Sequence, residues 1–121
     1  MAKKILVVDD DDLVLTALEI LLTPSGYDVT TAFNGQDALE KINKGTFDLM
    51  ILDIIMPGMN GFELCKRIRG IDQYRAVPII MLTAKSSAAD QQKGIDAGAS
   101  LFLSKPIAPQ HLLSLVKQSF E

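Results

Sequence analysis

Hydrophobic residues in this chain fall into short continuous runs, separated by longer segments in which apolar positions recur every three or four residues. The runs are Ile5–Val8, Val29–Ala32, Leu49–Leu52, Ile79–Leu82 and Leu101–Leu103. Short runs that are apolar throughout, rather than alternating, are typical of parallel strands that are buried on both faces. The pattern therefore predicts five buried β-strands.

The segments between these runs have the spacing of amphipathic helices. They are Leu13–Thr23, Gly35–Lys44, Gly61–Arg69, Ala88–Ala97 and Pro109–Phe120, and the fourth has the least regular apolar spacing. We expect Gly26 and Gly45 to end the first two helices, Pro109 to begin the last, and Asp12 to cap the first. Five repeats of strand and helix predict an α/β fold, in which helices cover both faces of a doubly wound parallel sheet.

Composition narrows the class of protein. The 121 residues fit one domain of common size. The net charge of −3, without a basic run, argues against direct binding to nucleic acid. The single cysteine, Cys65, cannot form an internal disulfide and suits a reducing compartment. Because no apolar stretch approaches the ~20 residues that span a bilayer, we expect a cytoplasmic protein without a membrane partner.

Polar residues follow four of the five predicted strands. Asp9 and Asp10 follow the first run, Asp53 the third, Thr83 the fourth, and Lys105 comes shortly after the fifth. In open parallel sheets, binding sites form outside the carboxyl ends of the strands. We therefore expect three carboxylates, one hydroxyl and one ammonium group to meet at one edge of the sheet.

These residue types favour phosphoryl transfer. Two carboxylates ~4 Å apart repel each other by about 4 kcal/mol at an effective dielectric constant near 20, so the group needs a cation or must stay partly protonated. Ligands that are all oxygen favour Mg²⁺ or Mn²⁺, and Lys105 suits an oxyanion such as phosphate. Any one of these acids could simply cap a helix, but their joint position at successive strand ends favours a carboxylate that accepts a phosphoryl group.

Four fragments in a fixed order carry a family resemblance. The fragments ILVVDDD near the start, DIIMPGMNG from Asp53, LTAK from Leu82 and SKP from Ser104 resemble receiver domains of two-component signalling. The resemblance spans essentially the whole chain. It implies a flavodoxin-like, chemotaxis-receiver-like fold with strand order 2-1-3-4-5. It also implies a single receiver domain over residues 1–121 with no effector domain.

The resemblance assigns a role to each residue of the site. Asp53 would accept the phosphoryl group, and Asp10 would be the principal Mg²⁺ ligand, with Asp9 acting partly through water. The backbone carbonyl of Ile55 would complete the metal's protein ligands. The remaining assignments are phosphoryl contacts from Thr83 and Lys105, and a cis peptide bond between Lys105 and Pro106.

The resemblance also implies partners and a switch. The phosphoryl donor would be a phosphohistidine on a histidine kinase or a histidine phosphotransfer protein, which would dock on the first helix near Leu13 and on the Pro106–Ile107 loop. On phosphorylation, Thr83 would move toward the new group and Phe102 would turn inward. The fourth helix, fifth strand and fifth helix would then control an effector domain or protein. Autodephosphorylation would reset the domain, which would not be a turnover enzyme.

Three alternatives share part of this pattern. A phosphatase of the haloacid dehalogenase class needs an acid two residues after its nucleophile, where this chain has Ile55. A flavodoxin needs a phosphate loop rich in Ser, Thr and Gly after the first strand, where Asp9–Asp12 would repel the phosphate of FMN. A pseudo-receiver would share the fold and only bind partners, but all five site residues are present here. The residues therefore favour a functional receiver.

Overall fold

The structure is a computed structural model that describes residues 2–121, and five strands form its central sheet. They are β1 (Lys4–Val8), β2 (Asp28–Ala32), β3 (Leu49–Leu52), β4 (Ile79–Thr83) and β5 (Leu101–Ser104). All neighbouring strands pair in parallel, in the order β2-β1-β3-β4-β5. The predicted fold class and strand order are confirmed.

Within residues 2–121, four helices connect the strands and a fifth follows the last strand, and together they cover the sheet. They are α1 (Asp12–Leu22), α2 (Gly35–Lys44), α3 (Gly61–Arg69), α4 (Ala88–Ala97) and α5 (Pro109–Ser119). The first and last residues of every predicted strand and helix differ by at most one residue from those observed. Short 3₁₀ turns follow α1 and α3, at Thr23–Ser25 and Asp72–Tyr74. Over residues 2–121, no helix combines the length and the apolar character needed to cross a membrane.

The sheet is buried on both faces, which explains the continuous apolar runs. Along β1, Ile5 and Val7 pack with α1 and α5, whereas Leu6 and Val8 pack with α2 and α3 on the opposite face. All four side chains are almost fully buried. Burying one aliphatic side chain of this kind stabilises the fold by roughly 1.5–3 kcal/mol. Every position of a central strand therefore favours an apolar residue, and polar residues fall beyond the strand ends.

The start of α1 corrects one prediction from the sequence. Asp11, rather than Asp12, is the N-cap: its backbone is extended, and its side chain accepts a hydrogen bond from the backbone N–H of Leu13 at 2.9 Å. Asp12 is the first helical residue, where its charge favours the positive end of the helix dipole. The prediction that Asp12 caps the helix was wrong because the helix begins one residue earlier than its first apolar position.

The helix ends agree with the remaining predictions except at Gly26. Gly45 caps α2 and Pro109 begins α5. Gly26 ends the 3₁₀ turn that follows α1 rather than α1 itself, and it adopts the left-handed conformation (φ 97°) that glycine tolerates. The chain thus keeps turning for three more residues before it enters β2.

Candidate functional site

The site residues come together because the sheet register aligns the strand ends. Val8 is paired with Leu52, so Asp9 and Asp53 leave neighbouring strands side by side. The backbone N–H of Asp53 donates to the carbonyl of Val8 at 3.0 Å. On the other side of the sheet centre, the backbone N–H of Lys105 donates to the carbonyl of Thr83 at 2.9 Å.

Three carboxylates form a compact group at this edge. Asp9, Asp10 and Asp53 each offer a carboxylate oxygen, and these oxygens lie within 4.8 Å of one another. Asp9 is 3% exposed and Asp53 is 7% exposed, whereas Asp10 faces solvent. Oxygen ligands on opposite sides of an Mg²⁺ ion lie about 4.2 Å apart, twice the usual Mg–O distance. The three acids therefore fit Mg²⁺ with small side-chain adjustments.

Lys105 bridges the two buried carboxylates. Its Nζ donates to Oδ2 of Asp9 at 2.7 Å and to Oδ2 of Asp53 at 3.4 Å. The other oxygen of each carboxylate is held by the backbone: Oδ1 of Asp9 accepts from the N–H of Asp11 at 3.0 Å, and Oδ1 of Asp53 accepts from the N–H of Ile54 at 2.7 Å. Both carboxylates are thus oriented before any ligand arrives.

Burial and their mutual contact shift the pKa values of Asp9 and Lys105. Burial raises the pKa of Asp9, and the hydrogen bond from Lys105 offsets this only in part. For Lys105, burial alone would lower the pKa, but the hydrogen bond to Asp9 and the charges of Asp53 and Asp9 outweigh it, so the net pKa is raised. Lys105 is therefore a firmly protonated ammonium group, and the ionised form of Asp9 would be stabilised by an added cation.

The loop after Asp53 is fixed by a close contact with the start of α3. The N–H of Gly61 donates to the carbonyl of Ile54 at 2.9 Å. A Cβ atom at Gly61 would lie only 2.1 Å from the carbonyl oxygen of Asp53, so no other residue fits without a backbone shift. Within this loop the side chain of Ile55 is 58% exposed. The role of the Ile55 carbonyl as a metal ligand stays a prediction.

Thr83 and Phe102 lie on β4 and β5 next to this site. Thr83 is fully buried, and its Oγ1 accepts from the N–H of Lys85 at 3.2 Å, which leaves its hydroxyl proton free to bond elsewhere. Phe102 is half-buried and packs against the cluster beneath α4. The switch roles of both residues stay predictions. The peptide bond between Lys105 and Pro106 is cis, as the resemblance implied.

One polar cluster near the site was not predicted from the sequence. Asp90, in the first turn of α4, is buried, and its Oδ1 lies 3.2 Å from Nζ of Lys85. The Ser87 hydroxyl donates to Oδ2 of Asp90 at 2.7 Å, and the backbone N–H of Asp90 donates to the Ser87 hydroxyl oxygen in return. A serine followed three residues later by an acid is a known helix-start pattern, so this signal was readable from the sequence.

An apolar groove opens beside Lys105. It has a volume of about 360 Å³ and lies between α1 and the segment that leads into α5. Its walls include Leu13, Ala17, Pro106, Ile107 and Leu112. Leu13, at the rim, is 79% exposed. The surface that the resemblance assigns to the phosphodonor is therefore apolar and continuous with the charged site.

A doubly wound parallel sheet in this strand order defines a flavodoxin-like fold, and its three carboxylates and a lysine lie at the carboxyl edge, where such folds have their binding sites. Comparison with known families places it within that class. The family model described as "Response regulator receiver domain" matches residues 5–117. The chain belongs to this family, which confirms the resemblance inferred from its motifs.

Individual relatives agree with this placement. The chain is 43% identical over 117 residues to the alkaline phosphatase synthesis transcriptional regulatory protein PhoP of Bacillus subtilis, covering 97% of this chain and 48% of that protein. It is 40% identical to the probable transcriptional regulator ycf29 of Porphyra purpurea, covering 97% of this chain and 56% of that protein. The structure of the chemotaxis protein CheY4 of Vibrio cholerae superposes with a TM-score of 0.94 at 39% identity, covering 98% and 99% of the two chains. The chain spans about half the length of the curated relatives it matches.

Proposed function

We propose that Asp53 accepts a phosphoryl group from a phosphohistidine on a histidine kinase or a histidine phosphotransfer protein. The observation that carries this proposal is the position of the Asp53 carboxylate. One of its oxygens lies 3.4 Å from Nζ of Lys105, and the group lies within 4.8 Å of the carboxylates of Asp9 and Asp10. The pocket thus combines a carboxylate that can act as a nucleophile, two further carboxylates that can bind a metal ion, and the ammonium group of Lys105.

Mg²⁺ fits this donor set, and the protein would hold it through Asp10 and Asp53, through Asp9 by way of water, and through the carbonyl of Ile55. When bound, the ion would neutralise the acids and the oxygens of the phosphoryl group. The buried pair Asp9 and Asp53 is already turned toward the pocket by the backbone hydrogen bonds described above. Little side-chain entropy is then lost when the ligand set assembles.

The transfer step exchanges one bond to phosphorus for another. An oxygen of Asp53 attacks the phosphorus, the N–P bond of phosphohistidine breaks, and its electron pair returns to the imidazole nitrogen. The product is an acyl phosphate, a covalent intermediate of the carboxylate class. Lys105 would pair with one phosphoryl oxygen, and the hydroxyl of Thr83 would donate a hydrogen bond to another. The chain itself thus supplies positioning and charge neutralisation.

Reset would occur when water attacks the same phosphorus and releases phosphate. The exposed side chain of Ile55 is apolar and offers no hydrogen bond to orient that water. Because the phosphoryl group is lost to water, we propose that the domain is a switch that resets itself rather than a turnover enzyme. We also propose that it acts in the cytoplasm. That residues 1–121 form a single receiver domain is also part of this proposal.

Two surfaces would serve the partners. The groove beside Lys105, with Leu13 at its rim, would receive the phosphodonor because it joins an apolar surface to the reacting group. The face formed by α4, β5 and α5 would contact an effector domain or protein, and the exposed side chain of Ile95 lies on this part of the fold. The acidic balance of the chain gives no support to direct contact with nucleic acid.

Acetyl phosphate with Mg²⁺ tests the proposal directly. The mass of the wild-type protein should rise by one phosphoryl group, because a small phosphodonor needs no docking surface. Asp53→Asn should show no gain, whereas Asp72→Asn, which removes a highly exposed carboxylate elsewhere on the surface, should behave as wild type. No gain in wild type, or an equal gain in Asp53→Asn, would remove the proposal.

A further inference from the structure

Helix α4 lies against the ring of Phe102 at Gly94. A Cβ atom at this glycine would lie 2.7 Å from Cδ2 and 3.1 Å from Cε2 of Phe102, and 3.1 Å from Sδ of Met81. The first distance is shorter than a Cβ atom tolerates, so a larger residue at position 94 must displace the ring or lift the helix. Gly94 does not adopt a left-handed conformation, so its backbone gives no separate reason for glycine.

The surroundings of the ring decide in which direction it can move. On β5, Phe102 is paired with Met81 of the neighbouring strand β4, and Met81 is fully buried beside it. The backbone of β5 is therefore held by its pairing with β4, and the space on that side of the ring is filled by Met81. The ring itself is only half-buried and forms part of the rim of its cluster. Rotation toward solvent is thus the movement open to it.

We propose that Gly94 is a positioning residue for the switch, because its missing side chain leaves the space that the ring of Phe102 occupies under α4. The size of the side chain at position 94 then sets the fraction of molecules in which the ring of Phe102 lies under α4. The inference rests on the proposed function and on the switch that the family resemblance implies, in which the ring turns inward on phosphorylation of Asp53. Since coupling between two sites is reciprocal, a residue that drives the ring outward also weakens the binding of a phosphoryl mimic at Asp53.

The test compares wild type with Gly94→Ala by ¹⁹F NMR, after labelling with 4-fluorophenylalanine. The signal of residue 102 is assigned with Phe102→Leu. Gly94→Ala should move this signal toward that of a solvent-exposed ring in the unliganded protein. It should also weaken binding of beryllofluoride with Mg²⁺ by about five-fold or more, the lower end of common couplings between sites.

The matched control is Gly45→Ala, which adds the same methyl group at the end of α2. The nearest atom to a Cβ there is the Lys41 carbonyl oxygen at 3.9 Å, so no clash arises. This variant should keep both the signal of residue 102 and the affinity for beryllofluoride. An unmoved signal together with wild-type affinity in Gly94→Ala would overturn the inference while leaving the proposed function intact.

A double variant separates ring displacement from general damage to α4. Alanine at position 102 lacks both ring atoms, Cδ2 and Cε2, that a methyl group at position 94 would meet. The double variant Gly94→Ala/Phe102→Ala should therefore bind beryllofluoride as Phe102→Ala does alone. An additional loss in the double variant would contradict the inference, as would failure of the double variant to fold. If wild type neither binds beryllofluoride nor accepts a phosphoryl group, the proposed function fails and the inference fails with it.

Discussion

Helices α3 and α4 lie next to each other on the same face of the sheet, but different kinds of contact hold them. Three side chains of α3 are fully buried, and all are apolar: Leu64, Cys65 and Ile68. In α4, the buried residues are Asp90, Gly94 and Ala97, of which none has a large apolar side chain. The apolar area that stabilises α3 is therefore largely missing from α4.

The two helices also begin differently. Gly61 at the start of α3 packs against the backbone of Asp53, so α3 begins in direct contact with the proposed phosphoacceptor. The start of α4 is held by hydrogen bonds and charge, through Ser87, Asp90 and Lys85. Polar contacts of this kind contribute about 1 kcal/mol each and exchange readily with water. The comparison indicates that α3 is the fixed side, which holds Asp53 in place. Helix α4 is the adjustable side, which is suited to changing position when Asp53 is phosphorylated.

The largest expected difference comes from removing one side chain of each helix. Leu64→Ala leaves a cavity in the core and should lower the free energy of unfolding by about 2–5 kcal/mol. Ile95→Ala removes a side chain that is 59% exposed, and it should change stability by no more than about 0.5 kcal/mol. Urea unfolding measures both values. Similar losses in the two variants would show that α4 is packed as firmly as α3.

The thiol of Cys65 provides a reporter of how firmly α3 is held. Burial raises its pKa to about 11 from the ordinary value of 9.0, although the charge of Arg69 acts in the opposite direction. At a pH below both values, the reactive thiolate is thus about 100-fold scarcer than in a free cysteine, before steric protection is counted. We expect reaction with a disulfide reagent at least that much slower than in urea.

An engineered thiol on α4 sharpens the comparison. Ala89→Cys places a cysteine at an exposed position of the first turn of α4, and its reaction rate should approach that of an unfolded chain. Cys65→Ser in the same variant ensures that only the new thiol is counted. Fast labelling of Cys65 in the wild-type protein under native conditions would contradict the rigid packing of α3.

The same contrast explains how far the sequence could predict the structure. The strands and α3 were readable because apolar residues such as Leu52 and Leu64 repeat with the period of a buried element. The site was readable because Asp9, Asp53 and Lys105 follow such runs and parallel strands end at one edge. The contact between Gly94 and Phe102 was not readable, because it depends on how closely a helix approaches a strand, and glycine has no side chain to indicate this.

The smallest expected effect on stability comes from replacing Asp90, and its pH dependence shows whether the charge of this side chain is the cause. The hydrogen bond from Ser87, and then the contact with Lys85, hold the pKa of Asp90 below its usual range, although burial opposes them. A carboxylate with a depressed folded-state pKa stabilises the protein above its unfolded pKa, near 3.9, and this contribution disappears as the pH falls through the folded-state value. Asp90→Asn keeps the shape of the side chain but not its charge. It should therefore destabilise the protein at neutral pH, and the difference from wild type should shrink below about pH 4.

Hydrogen exchange locates the effect of Asp90→Asn within the fold. Amide protons of α4 should exchange faster in this variant at neutral pH, whereas those of α3 should keep their wild-type rates, because local openings are set by local contacts. Asp72→Asn is the matched control, since it breaks the largely exposed ion pair with Arg75, and such pairs contribute little. Faster exchange in both helices would mean that α3 and α4 open together, and the distinction between a fixed and an adjustable side would fail.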